Sequence, residues 1–229
     1  MGRMADSSST QKHRIRMRER MLAGGGEGFH DYELLEYMLA LGLPRRDTRA
    51  LAKRLIDRFQ NFGAVVSADP EDLKQVEGVG DGLVAMLKFV QASSIRLLKG
   101  EIARRPVLAN WQAVQDYLHA AMAHNPREEF RVLALDGKNV LIRDQKMSEG
   151  TVNQTSVHVR EVIKMALDLG ATAIILVHNH PSGDSKPSRD DIALTAQIAD
   201  ICRALGIGLH DHIIIAKGGS ASFKSLGLL

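Results

Sequence analysis

The stretch TAIILVHNH, Thr172 to His180, constrains the fold more than any other part of the chain. Five consecutive aliphatic residues, Ala173 to Val177, leave no polar side. That pattern belongs to a strand covered on both faces, not to one that alternates between core and water. The run ends on two histidines. Residues two apart in an extended chain share a face at about 6.6 Å, so His178 and His180 are placed to converge on one ion. The segment PSGDSKPSRDD follows, a turn-rich loop that leads into the helical pattern SRDDIALTAQIADICRAL.

A hydrolytic zinc site uses three protein ligands and keeps one position for water. Cys202 is the single cysteine, which excludes an internal disulfide framework and any cysteine-rich zinc module. A metal must therefore be held by histidine and carboxylate, and Asp190 and Asp191 are the nearest carboxylates. Ser188 reads as the N-cap of the following helix, which places Asp191 at the third helical position, beside the loop. Each part has an ordinary explanation alone: a helix cap, a surface turn, a histidine at a strand end. The metal reading accounts for two histidines, a turn and a carboxylate at one end of one strand.

The rest of the chain divides by hydrophobic period. From Asp31 to Leu98 apolar residues recur every three or four positions in segments that open on Asp, a favoured N-cap, with Pro70 in a first turn. The region 21–100 is expected to be all-helical, preceded by a basic, partly disordered leader over 1–20. After the charged stretch ending at Pro106 the pattern becomes mixed. Helical segments at Trp111–Ala123, Val159–Leu169 and Arg189–Leu205 alternate with short apolar runs, FRVLALD, NVLIRDQ, ATAIILVH and HIIIAKG. An α/β domain over 106–229 follows, a sheet flanked by helices. No apolar run reaches the roughly 18 residues of a membrane span, and the basic start lacks a signal-peptide core, so a cytoplasmic protein with no membrane partner is expected.

Charge is uneven. Residues 1–105 hold 18 Lys/Arg against 14 Asp/Glu, a balance of +4, while 106–229 hold 12 against 13, a balance of −1. Much of the excess lies in KHRIRMRER, Lys12 to Arg20, which suits phosphate backbones or a solvated leader. VEGVGDG, Val76 to Gly82, places two glycines between helical segments, where backbone N–H groups can face a phosphate. It resembles the helix-hairpin-helix motif of sequence-independent DNA binders, with Gly78 and Gly80 as hairpin glycines, although Glu77 and Asp81 beside it repel phosphate. Non-specific DNA is the partner this half implies.

Written as His-x-His-Pro-x6-Ser-x-x-Asp, residues His178, His180, Pro181, Ser188 and Asp191 resemble the JAMM motif of MPN-domain metalloproteases. The segments EEFRVLALDGKNVLI, GTVNQTSVHVREVIKMAL, LVHNHPSGDSKPSRDDI and DHIIIAKG resemble the RadC family over nearly the whole chain. Val159 departs from that family's usual proline. The resemblance implies a cytidine deaminase-like mixed sheet flanked by helices, behind a small all-α helix-hairpin-helix-like domain. It implies Zn2+ held by His178, His180 and Asp191, and a hydrolase cleaving a peptide or isopeptide bond in a protein or peptide substrate. It assigns Glu128 as general base, matching Glu-x-Phe against Phe130, and Ser188 as a donor to the oxyanion. Only one of Glu128 and Glu129 can reach a metal, because adjacent strand residues face opposite sides. The ordinary reading of both is an exposed, charged strand start, and Glu149 and Glu161 are weaker candidates for the base. The alternative class is a DNA-binding or DNA-processing protein linked to repair or mobile elements. A second His-x-His, His210 and His212 in LHDHIII, lacks a following carboxylate loop, so His210 reads as a surface residue and His212 as a structural one. His158, Trp111 and Cys202 read as packing or surface residues.

Overall fold

A computed structural model describes the backbone of residues 2–149 and 157–229, with side chains from residue 10 to 148 and from 157 onward. The chain forms two compact units, Met1–Gln91 and Ala92–Leu229. The start of the GTVNQTSVHVREVIKMAL segment and the Glu149 side chain lie outside the described atoms.

The first unit is helical: α1 Gly2–Gly24, α2 Asp31–Gly42, α3 Arg49–Phe59, α4 Phe62–Ser67, α5 Pro70–Lys74 and the first part of α6, Asp81–Ile102. Its core joins Leu35 and Leu39 of α2, Leu51 and Leu55 of α3, Val65, Leu73, and Leu83 and Leu87 of α6. The segment expected as a partly disordered leader is instead helix from Gly2 onward. It is docked by Met17, which is buried, by His13 to Glu36 at 2.9 Å and by Arg20 to Glu33 at 2.9 Å. Arg14 donates to the carbonyls of Leu43, Pro44 and Arg46 beyond the end of α2. These polar fastenings give no apolar period, which is why the sequence reads as a solvated arm. Of the expected Asp caps, Asp69 caps α5 through Glu71 N–H at 2.8 Å. Asp31 lies inside α2 and accepts from Phe62 N–H, at the start of α4, at 2.9 Å.

The second unit carries a 3-10 turn, Val107–Asn110, then α7 Trp111–Met122, β1 Glu129–Leu135, β2 Leu141–Glu149, α8 Val159–Asp168, β3 Ala173–Asn179, α9 Arg189–Ala204, β4 Gly208–Ala216 and β5 Gly219–Ser222. The five strands form one mixed sheet in the order β2-β1-β3-β4-β5. β1 runs antiparallel to β2 and β3, β3 and β4 are parallel, and β4 and β5 are antiparallel. Every residue of β3 is buried, as its aliphatic run requires. Alternation sorts the strands onto two cores. Leu133, Leu135, Ile175, Val177, Ile213 and Ile215 pack with α7, whereas Val132, Ala134, Ile174 and Leu176 pack with α8 and α9. His178 and His212 continue the second set, so both point to the α9 side. β5, with the sequence GSAS, has no apolar signal and joins by backbone pairing to β4.

Candidate metal centre

β3 delivers the histidines at its C-terminal end, where pairing with β4 stops. His180 N–H donates to Ile215 C=O at 2.9 Å, and the chain turns immediately, with Gly183 N–H on His180 C=O at 3.1 Å. Gly183 adopts φ +89, a conformation that a side chain disfavours. The turn brings Asp184 C=O to His180 Nδ1 at 2.7 Å. A carbonyl only accepts, so that nitrogen carries hydrogen and a neutral His180 presents a bare Nε2 inward.

α9 supplies the carboxylate. Ser188 caps the helix by accepting from Asp191 N–H at 3.1 Å, while Asp191 Oδ2 accepts from Ser188 N–H at 2.7 Å and from the Ser188 hydroxyl at 2.6 Å. This reciprocal box fixes the carboxylate over the loop. His178 Nε2 lies 2.9 Å from His180 Nε2 and 3.3 Å from Asp191 Oδ1, and His180 Nε2 lies 3.6 Å from Asp191 Oδ2. The three residues form a metal-capable cluster whose ligand atoms lie within 4.8 Å of one another. His178 is buried, whereas His180 and Asp191 keep partial access to solvent. Burial alone would raise the Asp191 pKa, but hydrogen bonds from His178, His180 and Ser188 outweigh it and hold the carboxyl well below the usual range. Asp191 in turn raises the His180 pKa through their hydrogen bond. Two imidazole nitrogens and an anionic carboxylate, one side open, fit a divalent metal ion.

Glu128 stands one residue before β1 and is half-buried. Burial raises its pKa, opposed by His178 and His180 and reinforced by Asp191, so its carboxyl senses all three cluster residues. Glu129, expected as exposed, is buried. It accepts from Arg131 Nε and from Asn125 Nδ2 at 3.1 Å, and pairs with Lys146 at 3.3 Å. Arg131 continues to the buried Asp144 at 2.9 Å, so Glu129 belongs to a charge network fed by β2. Burial of these ions is compensated by pairing, which charge pattern alone does not reveal. Glu161 is exposed and pairs with Arg160 at 3.2 Å, on the surface of α8. Ser188 has both its hydroxyl hydrogen and a lone pair engaged with Asp191, so no donor is directed at a substrate oxygen in this arrangement.

One residue at the centre escaped the sequence reading, and a second was read only as structural. Asn179, buried between the two histidines, accepts from Glu129 N–H at 2.8 Å and donates to the carbonyls of Asn125 at 3.3 Å and Arg127 at 3.1 Å. It thus clamps the backbone on both sides of Glu128. The signal was an amide inside an otherwise aliphatic strand end. His212 is fully buried, with Nε2 2.8 Å from His178 Nδ1, and burial drives its pKa well down. His210 lies apart, with Nε2 2.6 Å from Asn139 Oδ1. Cys202 is buried in the α9 core and its thiol is pushed up by burial, Trp111 packs at the start of α7, and His158 is exposed before α8.

Comparison with known proteins decides the family. Residues 108–228 match the RadC-like JAB domain, and residues 10–85 match the UPF0758 N-terminal family. The chain belongs to the UPF0758 family, with a RadC-like JAB domain. A UPF0758 protein of Rhodobacter capsulatus is 54% identical over 213 residues, covering 93% of this chain and all of that protein. A UPF0758 protein of Ruegeria pomeroyi is 47% identical over 222 residues, 97% of this chain and 99% of its own. The His178, His180 and Asp191 cluster thus lies within the part of the chain that matches the RadC-like JAB domain. Among the described residues, no helix is long and apolar enough to cross a membrane.

Proposed function

We propose that this UPF0758 protein is a zinc-dependent hydrolase of the JAMM type, cleaving a peptide or isopeptide bond in a protein or peptide substrate. The observation that carries the reading is the convergence of His178, His180 and Asp191 at one strand end with a half-buried Glu128 in their electrostatic reach. A zinc ion held by those three residues would lower the pKa of a water towards about 7 and polarise a substrate carbonyl. Glu128 accepts the proton of the attacking water and returns it to the leaving amine, which closes the proton balance of hydrolysis. Asn179 keeps Glu128 in place through the backbone clamp on both of its sides. Ser188 serves first to hold Asp191; donation to an oxyanion requires exchange of its 2.6 Å bond to that carboxylate.

The test is metal content followed by turnover. Purified protein should hold about one zinc per chain, and a panel of peptide and isopeptide substrates should be cleaved only without chelator. Full zinc occupancy in a His178→Ala, His180→Ala double variant would overturn the site.

For the helical unit the reading is non-specific DNA contact through the hairpin. Gly78 takes φ +93, and an added side chain at Gly80 or Gly82 would meet no atom within 4 Å, so backbone there is open to approach. Duplex binding by the full chain that weakens steeply with salt supports this contact; no binding at low salt refutes it.

A further inference from the structure

His178 needs a specific hydrogen arrangement to be a ligand, and a chain of contacts behind it sets that arrangement. His178 Nδ1 lies 2.8 Å from His212 Nε2, His212 Nδ1 lies 2.6 Å from Thr195 Oγ1, and Thr195 Oγ1 lies 2.6 Å from the Asp191 carbonyl oxygen. His212 and Thr195 are both buried, so water does not compete for these contacts. The last link fixes the rest. A carbonyl oxygen only accepts, so the Thr195 hydroxyl hydrogen goes to Asp191 C=O. Thr195 Oγ1 must then accept from His212 Nδ1–H, which leaves His212 Nε2 bare and able only to accept. His178 Nδ1 therefore carries hydrogen, so Nε2, which faces His180 and Asp191, is the nitrogen that a metal would take.

We infer that His212 and Thr195 are positioning residues that lock His178 into the Nδ1–H tautomer, so that its Nε2 is presented to a metal before any metal arrives. The inference rests on the reading of His178 as a zinc ligand. It assigns His212 a role beyond packing: its neutral imidazole transmits the direction of one backbone carbonyl on α9 to a ligand on β3. Register makes this possible, because β3 and β4 are parallel with Leu176 opposite His212, which sets His212 two positions diagonal from His178 on the same face. The relay ends on the backbone of Asp191, so the carboxylate ligand and the histidine ligand are oriented by one connected unit. Hydrogen-bond partners of metal-bound histidines commonly change affinity by about 10–100-fold when removed.

The test reads hydrogen positions directly. Long-range 15N imidazole spectra of the chelator-treated full chain should show His178 with hydrogen on Nδ1. Thr195→Val keeps the shape but removes the acceptor for His212; it should disturb that tautomer and weaken zinc affinity, measured against a chromophoric chelator, by about 10-fold or more. Thr195→Ser should restore both. A role limited to packing would lower the thermal midpoint of Thr195→Val and leave tautomer and affinity untouched, which would overturn the inference. So would a His178 Nδ1 without hydrogen in the wild-type chain, a measurement that stands even if the valine variant does not fold. A wild-type chain with the Nδ1–H tautomer and no zinc affinity would refute the metal reading while sustaining the relay. Zinc binding with the opposite tautomer would do the reverse.

Discussion

The chain spells His-x-His twice, at His178 to His180 on β3 and at His210 to His212 on β4, and the fold uses the two pairs differently. The β3 pair straddles the point where pairing stops, so His180 leaves the sheet and its ring meets that of His178. The β4 pair lies within a continuous strand. There His210 and His212 do not share a partner: one bonds Asn139 and the other is enclosed against His178 and Thr195. Two residues of spacing thus permit convergence, but a strand end and an incoming carboxylate are what complete it. Spacing alone is a weak criterion for a metal centre; spacing at the mouth of a helix-capped loop is a strong one.

The sharpest way to break this contrast is to remove one histidine from each pair. His178→Ala is expected to abolish zinc binding, read by metal analysis of purified protein, while His210→Ala keeps full occupancy. Equal loss in both would show that the strand end is not decisive.

Next in size is the pair at the start of β1. Glu128→Gln keeps shape but cannot take a proton, so turnover should fall by about 10²–10⁴-fold with zinc retained. Glu129→Gln should leave turnover close to wild type and instead cost about 1–3 kcal/mol of stability, since a buried partner of Arg131 loses its charge. Chemical denaturation beside a turnover assay separates the two, and a catalytic collapse in Glu129→Gln would reassign the base.

Asn179→Ala probes the residue between the β3 histidines. It strands a backbone N–H and two carbonyls, so about 1–3 kcal/mol of stability should be lost. Turnover should fall with zinc stoichiometry unchanged, measured side by side.

The smallest effect concerns His210, whose pKa is lowered by burial and by Lys224. A base whose folded pKa lies below its unfolded value binds more protons when unfolded, so its contribution to stability falls as pH drops below about 6.5. The thermal midpoint of wild-type protein should therefore decline more between pH 7 and 5.5 than that of His210→Gln. Parallel declines would show that His210 is not responsible.

The elements that bury a continuous apolar surface were legible in the sequence. β3 follows from five aliphatic residues, and the start of α9 follows from Ser188 and Asp191. The three cluster residues were legible for the same reason, being adjacent to those elements. What was not legible is held by single polar contacts across long separations. Arg14 bonding beyond α2, Asn179 bracketing Glu128, and Thr195 meeting His212 leave no period behind. The ion network of Glu129, Arg131 and Asp144 hid as well, because charge in a sequence reads as surface until its partners are known.

All three cluster residues lie within 14 consecutive positions, His178 to Asp191. Closing so short a loop is entropically cheap, and the cost grows only as about (3/2)RT ln n with loop length. The geometry of the cluster is therefore a local property of one strand, one turn and one helix start. His212 of the relay comes from β4, a later stretch of chain. The cluster is thus written into one strand-loop-helix cassette, while His212 reaches it only through the pairing of β4 with β3.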